Sequence, residues 1–223
     1  MFRGDHPDLR QVMGRGLTVA RELGQQRCGS EHLVLALTPP LLDRFGVRED
    51  AVRDAVRRAG PLGAGVAADR DLLAPLGFSV SLDPSTVDRP PVREPLFPLG
   101  VAKARRRCAA LTPPVGLDAQ AAYEASLRLA LARHEREHRP EHLALVLVAV
   151  DPGAAWVLER AGVDRATLLG NLAAAYPVPK RNPVLRADRR LGRRSRQHDV
   201  IRRYERTTGR TATSGAALGL LIA

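Results

Sequence analysis

Two histidines four residues apart, with a glutamate beside the first, make His134-Glu135-Arg136-Glu137-His138 the stretch most open to a catalytic reading. On a helix this H-E-x-x-H spacing sets both imidazoles on one face for a zinc ion, with Glu135 placed to activate a bound water. Glu159 follows His138 by 21 residues, a distance at which some zinc peptidases draw a third ligand. Against this, Pro140 comes directly after Arg139, so the pattern falls where a helix would be ending. Its flanks, Ala132-Arg133 and Arg139-Pro140, are polar for a buried metal helix. A zinc peptidase acting through His134, Glu135 and His138 therefore ranks third among the readings.

A second pair of acids offers different chemistry. Glu31-His32 and Glu141-His142 each stand just before a Leu-rich run. A carboxylate at a helix start complements the helix dipole and caps the turn. The same carboxylate can also hold the planar fork of a guanidinium in a bidentate pair. The neighbouring imidazole has an ordinary structural use there, as a hydrogen-bonding partner for backbone at the helix start.

The two Glu-His pairs belong to a longer repeat, and internal repeats govern the fold. Gly29-Ser30-Glu31-His32-Leu33-Val34-Leu35-Ala36-Leu37 aligns with Arg139-Pro140-Glu141-His142-Leu143-Ala144-Leu145-Val146-Leu147. Leu17-Thr18-Val19-Ala20 faces Leu127-Arg128-Leu129-Ala130, and Leu42-Asp43-Arg44-Phe45-Gly46-Val47 faces Leu158-Glu159-Arg160-Ala161-Gly162-Val163. A unit of roughly 50 to 60 residues thus occurs twice, its apolar positions at helical spacing, which predicts two small helical bundles packed on one another. Helices are expected near 8–24, 31–38, 41–45 and 48–59, and again near 118–134, 141–150, 153–162 and 164–175. Ser30 is read as the N-cap of the second helix, Asp118 as the N-cap of the fifth, and Gly46 as a C-terminal stop.

This repeat resembles the N-terminal substrate-recruiting domain of the Clp ATPases, which carries two tandem Clp repeats. Arg21-Glu22-Leu23-Gly24-Gln25-Gln26-Arg27-Cys28-Gly29-Ser30-Glu31-His32 is close to the family's helix, Leu-Gly-His and Gly-Thr-Glu-His pattern. Trp156-Val157-Leu158-Glu159-Arg160-Ala161-Gly162-Val163-Asp164 matches its later part. The resemblance covers about 1–59 and 118–176. It implies an all-α fold of two pseudo-symmetric four-helix repeats forming one bundle, with 60–117 as a Pro/Gly-rich linker and 177–223 as an Arg-rich tail. It also implies a non-enzymatic protein-binding module of Clp proteolysis, an adaptor, decoy or regulator, with a Clp-type unfoldase or its substrates as partners.

In relatives of the bacterial ClpC type, the acid of each copy helps bind phosphorylated arginine. By resemblance the ligand residues are Glu31, Ser30 and His32 in copy one, and Glu141 and His142 in copy two. Pro140 departs from the family's Thr, having neither hydroxyl nor N–H, and Arg139 replaces Gly. Single-site binding follows as an expectation. Trp156 stands where the family is usually apolar and is read as core packing, with an exposed binding hot spot as the alternative. The chain lacks Gly-x-x-x-x-Gly-Lys-Ser/Thr, so no phosphate-cradling loop is present, and no cofactor or metal is expected.

Composition agrees with helices: 44% of residues are hydrophobic but only 4% aromatic, which leaves Leu, Val and Ala to build the core. No apolar run reaches membrane-spanning length and no secretory apolar stretch is evident, so a cytoplasmic protein without membrane contact is expected. Cys28 and Cys108 do not make a disulfide framework. The net charge of +11 is local, because twelve basic residues against three acidic ones between Lys180 and Arg210 leave only +2 elsewhere. A helix at 195–207 and the Arg189, Arg190, Arg193, Arg194 and Arg196 cluster define the alternative reading, a nucleic-acid-associated regulator binding phosphates through this tail. The apolar piece 72–78 is a candidate for docking on the bundle.

Overall fold

The computed structural model describes residues 2–78, 105–179 and 195–213. Copy one contains α1 (Pro7–Glu22), α2 (Ser30–Leu37), a 3₁₀ turn (Leu42–Phe45) and α3 (Glu49–Ala59). A further helix, α4 (Ala64–Leu73), leads into a 3₁₀ turn at Ala74–Leu76. Copy two contains α5 (Leu117–Ala132), α6 (Pro140–Val150), α7 (Pro152–Arg160) and α8 (Arg165–Ala175), and α9 (Ser195–Thr208) follows. The described residues form no β-strand, and the fold is all-α.

The stops of the repeat are readable as backbone chemistry. Gly46 (φ +80°) and Gly162 (φ +77°) end equivalent elements with the same pair of bonds. Gly46 N–H and Val47 N–H reach the carbonyls of Asp43 and Leu42; Gly162 N–H and Val163 N–H reach those of Glu159 and Leu158. This is the Schellman arrangement, which needs a left-handed residue where glycine stands. α7 starts on Asp151, whose carboxylate accepts the Ala154 N–H at 2.6 Å, with Pro152 in the first turn.

α2 and α6 form the centre. Every residue of α2 and every residue of α6 from His142 onward is buried, as expected for helices apolar on all sides. α1 and α5 flank them, α8 packs on α6, and α3 and α4 lie against α7. The two copies also exchange backbone contacts at their edges. Asp5 bridges to His138 and Cys28 to Val115. An offset of 110 turns one pair into the other, so each copy's lead-in segment is held by its twin's turn.

Three local readings change. The N-cap of α2 is Gly29, with Ser30 already helical, and the N-cap of α5 is Gly116, with Asp118 in the first turn. In both cases the polar side chain is drawn away to a tertiary partner. Second, residues 64–73, read as linker, are helical because Ala64, Gly65, Val66 and Ala67 present a small apolar face to α7. Third, the apolar piece behind them does not dock: Leu72, Leu76 and Phe78 are 73%, 69% and 63% exposed.

Candidate functional site

The turn that opens α2 is sealed. Glu31 is 1% exposed, and its oxygens press so closely on the Gly29 Cα that a Cβ there would overlap them. His32 Nδ1 accepts the Gly29 N–H at 3.0 Å and lies 3.2 Å from Glu31 Oε1. Burial by itself would raise the Glu31 carboxyl. The Arg27 guanidinium beside it works against that and holds it below the usual carboxylate range. Arg27 is buried as well and forms a bidentate pair with Asp118, at 2.8 and 3.2 Å. Its Nη2 also donates to the Leu62 carbonyl at 3.2 Å. Gly63 (φ +85°) closes the lid over both Arg27 and Glu31.

Ser30 turns inward. Its hydroxyl donates to Asp151 Oδ1 at 2.7 Å, and the Tyr204 hydroxyl of α9 donates to Asp151 Oδ2 at 2.6 Å. Burial and the nearby Asp118 push the Asp151 carboxyl up to about 6, while the hydrogen bonds from Tyr204, Ala154 and Ser30 pull the other way. α9 is thereby stitched to the first turn, and Val200, Tyr204 and Thr207 bury one of its faces against α5. Arg210, just beyond it, pairs with Asp69 of α4 at 2.8 Å.

The twin turn that opens α6 is built on the same cap but is less enclosed, with Glu141 half-buried where Glu31 is buried. His142 Nδ1 accepts the Arg139 N–H at 3.1 Å, the same bond that His32 makes. Glu141 is only half-buried, yet its Oε2 is enclosed and has no hydrogen-bond partner among the described residues. Around it stand charges of both signs. Glu135 Oε1 lies 3.4 Å from His142 Nε2 and 3.4 Å from Arg133 Nε. Burial would raise the Glu135 carboxyl, but His142 and Arg133 bring it below the usual range. Arg133, 2% exposed, donates to the Tyr176 carbonyl at 2.6 Å, and burial lowers its affinity for the proton. Burial and Glu141 push the Tyr176 hydroxyl up, while Arg44 pulls it the other way. Arg139 is exposed and pairs with Glu137 at 3.2 Å.

The zinc reading fails on backbone geometry. α5 stops at Ala132, and His134 occupies its left-handed stop (φ +54°), the position held by Gly24 in copy one. Residues 134–138 are a turn, so the two imidazoles do not share a helical face. His138 is fully buried, with Nδ1 3.0 Å from Asp5 Oδ1 and Nε2 2.8 Å from Ser126 Oγ. Among the described residues no cluster of His, Cys, Asp or Glu is arranged to hold a metal ion.

Asp5, His138 and Ser126 do have the spacing of a hydrolytic triad. Ser126 and His138 are both 0% exposed, and the serine hydroxyl is committed to the Tyr123 carbonyl at 2.8 Å. No carbonyl substrate can reach them. The three residues instead pin the N-terminal segment to the second turn, aided by a 2.6 Å bond from the Tyr123 hydroxyl to Asp5.

Trp156, expected in the core, is half-buried; its indole N–H donates to Asp71 of α4 at 2.7 Å and Arg160 lies over its ring. Arg189, Arg190, Arg193 and Arg194 lie outside the described residues, as does the side chain of Arg196. Sequence reading gave no role to Arg27, Arg133, Asp151 and Tyr204, and took Asp118 for a cap alone. Asp151-Pro152 carried a signal, the N-cap followed by proline. The Arg27–Asp118 pair, 91 residues apart, carried none.

The paired repeats, central apolar helices and exchanged lead-in segments define a fold of the Clp N-domain type. No family model and no curated protein matches the sequence. Among solved structures, the chain is similar to the N-terminal domain of the caseinolytic protease associated chaperone ClpD from Arabidopsis thaliana. The identity is 19% and the TM-score 0.50, over 79% of this chain and 96% of that one. Among the described residues no single helix is long and apolar enough to cross a membrane.

Proposed function

We propose that this protein is a non-enzymatic peptide-binding module of the Clp proteolysis pathway that takes an arginine or phospho-arginine side chain at the second turn. The observation that carries the reading is Glu141: a half-buried residue whose Oε2 has no hydrogen-bond partner among the described residues. An acceptor in that state favours an incoming donor, because burial without a hydrogen bond is costly. A guanidinium supplies a fork of N–H groups of matching charge. In this reading Arg139, exposed beside the same turn, exchanges its pairing with Glu137 for the phosphate carried on that guanidinium. Glu31 does not offer the same opportunity while the segment around Gly63 lies over it.

Calorimetric titration of free phospho-arginine, with arginine as a second probe, tests this. The expected result is one binding event, abolished by Glu141→Gln and retained by Glu31→Gln where that variant remains folded. Absence of binding to the wild type, or unchanged binding in Glu141→Gln, would remove the reading.

A further inference from the structure

Five large apolar residues are well exposed among the described ones: Leu72, Leu76, Phe78, Leu111 and Leu131. The first three lie at the far end of α4 and in the turn after it. That end is ordered. Gly77 (φ +79°) makes a left-handed stop, its N–H donating to the Ala74 carbonyl at 3.0 Å and the Phe78 N–H to the Leu73 carbonyl at 3.3 Å. Asp71 ties the helix to α7 by accepting from Trp156 at 2.7 Å and from Arg160 at 2.6 Å. A fixed tip with three exposed apolar side chains therefore stands off the bundle, and a surface already held in place loses little freedom on binding.

Leu131 belongs to a concave feature. With Arg128, Ala132 and His134 at the end of α5, and Asp199 and Val200 of α9, it lines a cleft of about 360 Å³. A cavity of about 150 Å³ already takes a benzene ring, so the cleft has room for more than one large side chain. In the first copy the place of Leu131 is held by Arg21, which is exposed, so the repeat itself does not call for leucine there. No α4 residue is among those lining the cleft, and the exposure of Leu72, Leu76 and Phe78 shows that the chain's own tip is not seated in it.

We infer that the α4 tip of one copy seats in the α5–α9 cleft of a second copy, with Leu72, Leu76 and Phe78 meeting Leu131, Ala132 and Val200. One contact then covers four of the five exposed large apolar residues. The occupant is the chain itself because tip and cleft are both carried by it, are of opposite shape, and both lie outside what the repeat requires. The contact is heterologous: each copy offers one tip and one cleft, so association continues past the dimer. Three side chains make a patch well below a standard interface, so the association is weak and develops at roughly 0.1–1 mM. It uses neither Glu31 nor Glu141 and stands apart from peptide binding at the second turn.

Sedimentation of the full chain between about 10 μM and 1 mM tests it. The wild-type mass should rise past that of a dimer. Phe78→Asp and Leu131→Arg, both at exposed positions, should each weaken association at least about tenfold with helicity unchanged. An equal mixture of the two variants should form a dimer and stop there, because one keeps a working cleft and the other a working tip. Where either variant loses helicity, Leu76→Ser or Leu131→Gln takes its place. In about 0.5 M salt, which screens surface charges, the association should be retained. A wild type that stays monomeric, a variant that associates as wild type does, a mixture that stays monomeric or grows past the dimer, or association lost in salt would each overturn the inference.

Discussion

The two Glu-His turns begin from one sequence pattern and end in opposite states. Both place histidine Nδ1 on the N–H of the residue that precedes the helix. At the first, a helix outside the repeat (α4), the Gly63 lid and the Arg27–Asp118 pair enclose the carboxylate completely. At the second, no added helix among the described residues lies over the turn, and Glu141 is only half-buried. The difference teaches that the repeated motif specifies a cap, while the insertions around it decide whether the acid beside the cap is a structural charge or an accessible one. Glu137, where the first copy has Arg27, reverses the local sign as well.

The largest test of that contrast is to truncate each acid. Glu31→Ala removes one partner from a buried charge cluster and should cost about 3–5 kcal/mol. Glu141→Ala, at a half-buried position with no hydrogen bond to lose at Oε2, should stay within about 0.5 kcal/mol of wild type. Urea unfolding of both variants measures this, and equal losses would dissolve the distinction between sealed and open turns.

Next in size is a pH effect in which two buried acids of the first turn oppose each other. Asp151 is held up to about 6 by burial and by Asp118. Its protonated form is favoured in the fold, so its contribution is complete at low pH, below its unfolded value, and is lost as pH rises through about 6. The loss amounts to about 3 kcal/mol. Glu31 acts in the other sense. Burial would raise it, but Arg27 holds it below the usual carboxylate range, so its contribution is present above its unfolded value and lost as pH falls below that. The stability difference between wild type and Asp151→Asn should therefore shrink between pH 4 and pH 6, and a flat difference would rule out a buried acid of raised affinity.

The smallest effect belongs to the α9 stitch. Tyr204→Phe deletes the hydroxyl that reaches Asp151 and should cost about 1.5 kcal/mol, with α9 amides exchanging faster than those of α6. Unchanged exchange in α9 would mean that the stitch to the first turn contributes nothing to holding the helix.

Much of the repeat was legible because its information is local. Gly46-Val47 and Gly162-Val163 announce their stops through a backbone conformation that glycine favours, and the Leu-rich runs after His32 and His142 announce two central helices. His134 shows where locality misleads. H-E-x-x-H is a statement about a helical face, and the left-handed backbone at His134 removes the helix that the spacing assumes. Ser30 and Asp118 misled in a related way. Each is a good capping residue by type, and each instead reaches a side chain far along the sequence.

By itself the sequence determined an all-α chain with two repeated units, because the period of apolar residues and the capping and stopping residues act over a few positions. Only the tertiary structure decided that Arg27 meets Asp118, that Ser30 and Tyr204 converge on Asp151, and that α4 covers one Glu-His turn and leaves the other uncovered. Those outcomes depend on pairings across 53 to 121 residues. They are settled by which buried charges and hydroxyls find partners once the helices have packed, and local propensity contains no term for that choice.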